Sequence, residues 1–186
     1  GAALRLPVRD GAVDLVACQA LLVNLPDPAA ALREFRRVTA DAVAAVEPDN
    51  GDVAVESTVD REVTLERRVR EAYLDGVETD VAMGDRVREA FAAAGLVDVT
   101  TRRHYHRKVV EPPYDGADLE DATRKATGAG LADHETELRR AVGDEYDDLR
   151  AAWRAMGRDV VEAMQEETYR RAEVVPFDVT VGRRSE

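Results

Sequence analysis

Two short stretches set reactive groups just behind apolar runs. In "AVDLVACQALLVN", residues 12–24, Cys18, Gln19 and Asn24 follow a hydrophobic segment. In "AVAAVEPDN", residues 42–50, Glu47, Asp49 and Asn50 do the same. In open α/β sheets a ligand lies beyond the carboxyl ends of the strands, so groups in these places can touch one. A carboxylate pair such as Glu47 and Asp49 can orient an acceptor or take a proton from it. The plainer readings are a small core residue for Cys18, a polar loop group for Gln19, a helix-entry residue for Asn24 and a polar turn at 47–50. His104 and His106 stand two apart on a strand-like run and so share a face. Two histidines can begin a metal site, but no third ligand is evident and no metal is expected. His104 can instead face a substrate. Arg154 and Arg158, one helical turn apart, can meet an anionic substrate, with solvated helix surface as the alternative.

The elements that would position these groups are legible from period and punctuation. "AVDLVAC" is a nearly continuous apolar run, which suits a strand buried on both faces. Asp27 can cap a helix whose first residue is Pro28, with Leu32, Phe35 and Val38 on its inner stripe. A second strand is expected over 42–47 and a charged helix over 58–74, its inner face carrying Val59, Val63, Val69 and Tyr73. Asp85 can start a further helix with Val87, Phe91 and Ala94 inward, and Gly95 can stop it. A strand over 97–110 follows. Residues 116–172 are expected to be largely helical. Within them the region 145–171 carries Tyr146, Leu149, Trp153, Met156, Val160 and Met164 on one stripe, which reads as packing. A last strand is expected over 174–182. The alternation of strands and helices predicts an α/β sheet.

The chain has 186 residues, 26 basic and 38 acidic, for a net charge of -12. That balance disfavours nucleic acid and anionic membrane as partners. Its positive charge is nearly all arginine, with only Lys108 and Lys125 as lysines, a composition similar to that of salt-loving archaea. In molar salt the Debye length falls to about 3 Å, which makes such a charged surface tolerable. Cys18 is the single cysteine, which fits a reducing, cytoplasmic setting. No apolar run approaches the roughly 18 residues of a membrane span.

"LPVRDGAVDLVACQALLVNLPDP", "ALREFRRV", "VAAVEPDN", "MGDRVREAFAAAGLVDV" and "VVPFDVTVG", in this order, resemble the carboxyl-terminal part of a class I S-adenosylmethionine-dependent methyltransferase of the type 11 kind. The likeness covers 1–110 and 173–183. It implies a partial Rossmann-like methyltransferase sheet, later strands only, with helices on both faces. The chain 1–186 is then a single truncated methyltransferase-like domain, with a helical insertion over 116–172 before the last strand. That insertion would act as a lid or a substrate-pocket element.

The resemblance also implies methyl transfer to a small-molecule oxygen, nitrogen or carbon. Ala2, Cys18, Gln19 and Asn24 would lie on the side of the cofactor, S-adenosylmethionine, and Glu47 and Asp49 would be catalytic. His104 and Arg154 would face the substrate. In the family a Gly-x-Gly-x-Gly turn after the first strand approaches the cofactor. Here the one Gly-x-Gly, Gly128-Ala129-Gly130, lies between helical segments and reads as a connector. The chain is therefore expected to be a fragment of a domain roughly 80 residues longer, unable by itself to bind the cofactor. The alternative is a non-catalytic, methyltransferase-like regulatory or interaction subunit. Without its neighbour the first strand would be an open edge, prone to self-association and to poor solubility at low salt. Glu111-Pro112-Pro113-Tyr114 is close to a motif of methyltransferases that act on amino groups. It begins with Glu and follows the wrong strand, so it reads as a strand exit.

Overall fold

A computed structural model of the chain describes residues 2–185, with the side chain of Ala2 outside the description. The fold is mixed α/β. Five strands form one sheet in which β1 (Val13–Gln19), β2 (Thr39–Pro48) and β5 (Arg171–Arg184) are neighbours in that order. β3 (Ala54–Ser57) and β4 (Leu96–Val110) each pair with β5. The described residues divide into two compact units.

The first unit comprises Gly1–Asp52, Glu78–His106 and Val175–Glu186. β1 and β2 run parallel, with Leu15 opposite Ala42 and Gln19 opposite Val46. Parallel neighbours need a crossover, supplied by α1 (Pro28–Val38). Asp27 caps that helix by accepting the Ala30 N–H at 2.9 Å, and Leu32, Phe35 and Val38 are buried at the spacing the sequence shows. Each such side chain contributes roughly 1.5–3 kcal/mol when fully buried. Arg37, on the same helix, donates to the carbonyls of Leu6 and Val8 and so ties down the turn before β1. β2 and β5 are antiparallel, from Ala42 opposite Arg183 to Pro48 opposite Phe177. α3 (Arg86–Ala93) lays Phe91 on β5 at Gly182, where a Cβ would meet the Phe91 ring at 2.9 Å. Asp85 precedes α3 without bonding it through its side chain, so the expected cap is absent.

β1 corrects the expectation of a strand buried on both faces. Among the described residues its one neighbour is β2, and it is exposed along most of its length, with Leu15 54% exposed. An apolar run cannot be buried by composition alone; it needs a second strand beside it and layers over it.

The second unit comprises Val53–Val77 and Arg107–Val174. β3 pairs antiparallel with the start of β5, Ala54 opposite Val174 and Ser57 opposite Arg171. This four-residue strand is not evident in the sequence, because its partner lies more than a hundred residues away. The helices are α2 (Asp60–Gly76), α4 (Gly116–Thr127), α5 (Ala129–Ala132), α6 (Glu135–Val142) and α7 (Tyr146–Gln165). All six residues of the α7 stripe are buried. α7 stops at Gln165 rather than 171, since Thr168 and Tyr169 both turn their N–H groups back to the Ala163 carbonyl. At Gly157 a Cβ would stand 2.3 Å from the Ala126 nitrogen, and at Gly76 it would stand 1.9 Å from the Glu137 carbonyl oxygen.

α2 departs from its expected inner face. Val63 and Val69 are only half-buried, while Glu62 and Glu66 are buried beside Ala72 and Gly76. The glutamates can be inside because cations meet them there. Lys125 bonds both, and Arg171 bonds Glu66 at 2.7 Å. The Tyr169 hydroxyl donates to Glu62 at 3.0 Å, and Ser57 donates to it at 2.5 Å.

Candidate functional site

The carboxyl end of the parallel pair β1–β2 carries five of the residues picked from the sequence: Cys18, Gln19, Asn24, Glu47 and Asp49. β1 ends in Cys18 and Gln19, and Ala20 then turns at φ +46°. A short 3-10 turn, Leu22–Asn24, leads toward α1. The Asn24 side chain donates to the Ala20 carbonyl at 2.9 Å and closes the loop. Gln19 is exposed at the strand end.

Glu47 is the anchor of this loop. Only 1% exposed, its carboxylate accepts the backbone N–H groups of Leu21 and Leu22 at 3.1 Å and of Val23 at 3.3 Å. These are the orphan donors at the start of a helical turn, and a carboxylate is their best acceptor. The Cys18 thiol lies 3.8 Å from the same carboxylate. Burial first, then the negative charge of Glu47 and the hydrogen bond to it, push that thiol up to about 12. Cys18 is therefore a neutral thiol, not a nucleophile. With its lone pairs engaged by backbone, Glu47 is placed to hold the loop rather than to collect a substrate proton.

Asp49 stands differently. Its Oδ2 accepts from Arg103 at 2.8 Å, and Oδ1 accepts the Gly51 N–H at 3.3 Å. Arg103 also grips both oxygens of buried Asp178, at 2.9 and 2.8 Å, and reaches Asp52 at 2.9 Å. Asp178 above all, through these hydrogen bonds, holds the guanidinium above its ordinary value. Three carboxylates thus share one arginine, a hub that residue types along the chain do not announce. Its one signal is alternation: Arg103 falls on the same strand face as Thr101, which hydrogen-bonds Thr180 at 2.9 Å.

The remaining candidates are not brought to this place. His104 alternates with Arg103 and so faces the other side of β4; it is exposed. His106, on that same face, meets the Phe177 ring edge-on at 6.4 Å. Arg154 belongs to the second unit, where its stem lies over Gly128. Ala2 falls in a 3-10 turn, Ala2–Leu4, and its side chain lies outside the described residues. Among the described residues no group of three or more His, Cys, Asp or Glu is placed to hold a metal, and no helix is long and apolar enough to cross a membrane. Tyr114, of the Pro-Pro-Tyr run, spends its hydroxyl on the Tyr169 carbonyl.

Gly128-Ala129-Gly130 joins α4 to α5. Gly128 adopts φ +74° as the cap of α4, and a Cβ there would meet Arg154 Cγ at 2.9 Å. That is a helix connector, not a turn after a strand.

β1, α1 and β2 form a parallel β–α–β crossover with polar side chains at its strand ends, the place where open α/β sheets hold ligands when they bind them. Residues 1–44 match a family model described as a methyltransferase domain, 44 of the 186 residues. No curated protein sequence matches. Among solved structures, a provisionally assigned methyltransferase from Bacillus halodurans is similar over 100% of this chain and 76% of its own, at 14% identity and TM-score 0.47. The YcgJ protein from Bacillus subtilis matches over 100% and 70%, at 15% identity and TM-score 0.47. A Haemonchus contortus phosphoethanolamine N-methyltransferase, in complex with S-adenosyl-L-methionine, matches over 99% of this chain and 36% of its own, at 13% identity and TM-score 0.38.

Proposed function

We propose that this chain is part of an enzyme that transfers a methyl group from S-adenosylmethionine to a small-molecule acceptor. One observation carries the reading. The methyltransferase-domain match over 1–44 spans β1, α1 and the first half of β2, the elements whose ends gather Cys18, Gln19 and Asn24. The donor, when bound, supplies an already activated methyl group, so the protein's task is chiefly positioning. Gln19 and Asn24 lie on the donor side. Glu47 fixes the loop that carries Asn24, and Asp49, oriented by Arg103, faces the acceptor. The chain by itself does not hold the donor, lacking a glycine turn after a strand. A cytoplasmic setting agrees with its single, neutral cysteine.

The open edge of β1 is the surface through which copies of this chain pair. A specific observation also favours the second reading, a non-catalytic methyltransferase-like subunit: the best-buried carboxylate at the strand ends, Glu47, is held by the backbone of residues 21–23 and by the Cys18 thiol. Calorimetric titration of this chain with S-adenosylmethionine is expected to give no saturable heat; saturable binding would remove that part of the proposal. Feeding labelled methionine to cells with and without the whole protein is expected to reveal a labelled small molecule. Label found in no small molecule would leave the subunit reading in its place.

A further inference from the structure

Within the second unit lies a cavity of about 250 Å³ with walls of two kinds. Val69, Tyr73, Leu138 and Trp153 make an apolar, aromatic side, with the Tyr73 ring held edge-on by His134 at 4.9 Å. Arg70, Arg171, Glu66 and Glu173 make a charged side.

The charged groups are unequally committed. Glu66 gives one oxygen to Lys125 at 2.9 Å and the other to Arg171 at 2.7 Å. Arg171 also holds Oε2 of Glu173 at 2.5 Å. Arg70 donates only from Nη1, to the Val53 carbonyl at 2.6 Å. Its other N–H groups, and Oε1 of Glu173, have no partner among the described residues. The wall therefore offers one free donor set and one free acceptor, of opposite charge. Trp153 adds an independent sign. It is 8% exposed, and its indole N–H is buried without an acceptor. Native proteins seldom leave such a donor unsatisfied.

We propose that this cavity binds a small zwitterion with an apolar or aromatic body, of the α-amino acid kind. The ligand's carboxylate meets Arg70 and its ammonium meets Glu173. Its body lies against Val69, Tyr73, Leu138 and Trp153. The lining carries two carboxylates and two guanidiniums, so an ion of one sign leaves either Arg70 or Glu173 unanswered, whereas a zwitterion answers both. A cavity of this size sits just below the usual range of roughly 300–1,000 Å³ for small-molecule sites, which restricts it to compact ligands. The assignment uses none of the residues placed at the ends of β1 and β2; every residue named belongs to the second unit.

Trp153 is the only tryptophan of the chain and lines both this cavity and a neighbouring hollow beside Lys108 and Lys125, so its emission reports binding in either; Arg70 lines this cavity and not that hollow, and its variant tells the two apart. Titration with L-phenylalanine is expected to change that emission saturably, with a midpoint at or below about 1 mM. Phenylacetate, which lacks the ammonium, and phenethylamine, which lacks the carboxylate, are each expected to bind at least tenfold more weakly. Arg70→Met should weaken phenylalanine and phenylacetate and leave phenethylamine unchanged; Glu173→Gln should do the reverse for the amine. The ligand series needs no variant, so a variant that fails to fold leaves the test intact. No saturable change up to about 10 mM, or equal affinity for all three compounds, overturns the proposal.

Discussion

Replacing Glu47 by alanine removes the acceptor shared by three consecutive backbone N–H groups. Two of these belong to residues with almost no exposure, Leu22 at 0% and Val23 at 3%. A buried donor left without a partner costs about 1–3 kcal/mol, so two give about 2–6 kcal/mol. Some relaxation of the 3-10 turn brings the expected loss to about 3–4 kcal/mol. That is a large share of the roughly 5–15 kcal/mol that stabilises a domain. Glu47→Gln keeps one acceptor oxygen but turns an amide toward one of the donors, and about 1–2 kcal/mol should be lost. Urea unfolding followed by far-UV circular dichroism gives both values. Hydrogen exchange should speed up first at residues 21–23 in each variant. If alanine costs less than about 0.5 kcal/mol, or if glutamine leaves the exchange of those amides untouched, Glu47 is not the anchor described. A glutamine variant as stable as the parent but without methyl transfer in the whole protein would point to a proton-transfer role instead.

Cys18 should resist alkylation. With its thiol raised from the ordinary 9.0 to about 12, the thiolate at pH 8 is scarcer by about a thousandfold, and iodoacetamide labelling should slow to match. A rate like that of free thiol would contradict the burial seen. Arg103→Ala should destabilise the first unit by about 3 kcal/mol, because buried Asp178 loses its bidentate partner; an unchanged urea midpoint would deny the hub. Glu66 has its titration set by opposing effects: burial raises it, but Lys125 and Arg171 outweigh burial and hold it below the ordinary glutamate value. A lowered native pKa means its stabilisation is present at neutral pH. It begins to fade below the unfolded value of about 4.3 and is gone once pH falls through the native value. The urea midpoint of the parent should therefore drop more steeply below about pH 4.3 than that of Glu66→Gln; parallel curves would refute the pairing.

What the sequence made legible follows from how local each cause is. α1 could be read because its cap, its proline and its stripe lie within the twelve residues 27–38. The α7 stripe was as plain, and β2, β4 and β5 lie close to where alternation and β-branched content put them. β3 was not legible, because four ordinary residues become a strand only by meeting β5. The burial of Glu62 and Glu66 was hidden for a similar reason: Lys125, Tyr169 and Arg171 reach them from over fifty residues away. At the candidate site, residue types and strand ends located Cys18, Gln19, Asn24, Glu47 and Asp49. They did not show that Glu47 faces backbone while Asp49 faces an arginine, since that division depends on which way each side chain leaves its strand end.

The two bare crossings, Gly157 on Ala126 and Gly76 on Glu137, constrain how this helical unit can change over generations. A one-residue insertion or deletion in α7 would bring Met156 or Arg158 into a slot with no room for a Cβ. Changes in length are therefore confined to the joints at Gly128 and Gly143, where a residue can be gained or lost without moving either contact.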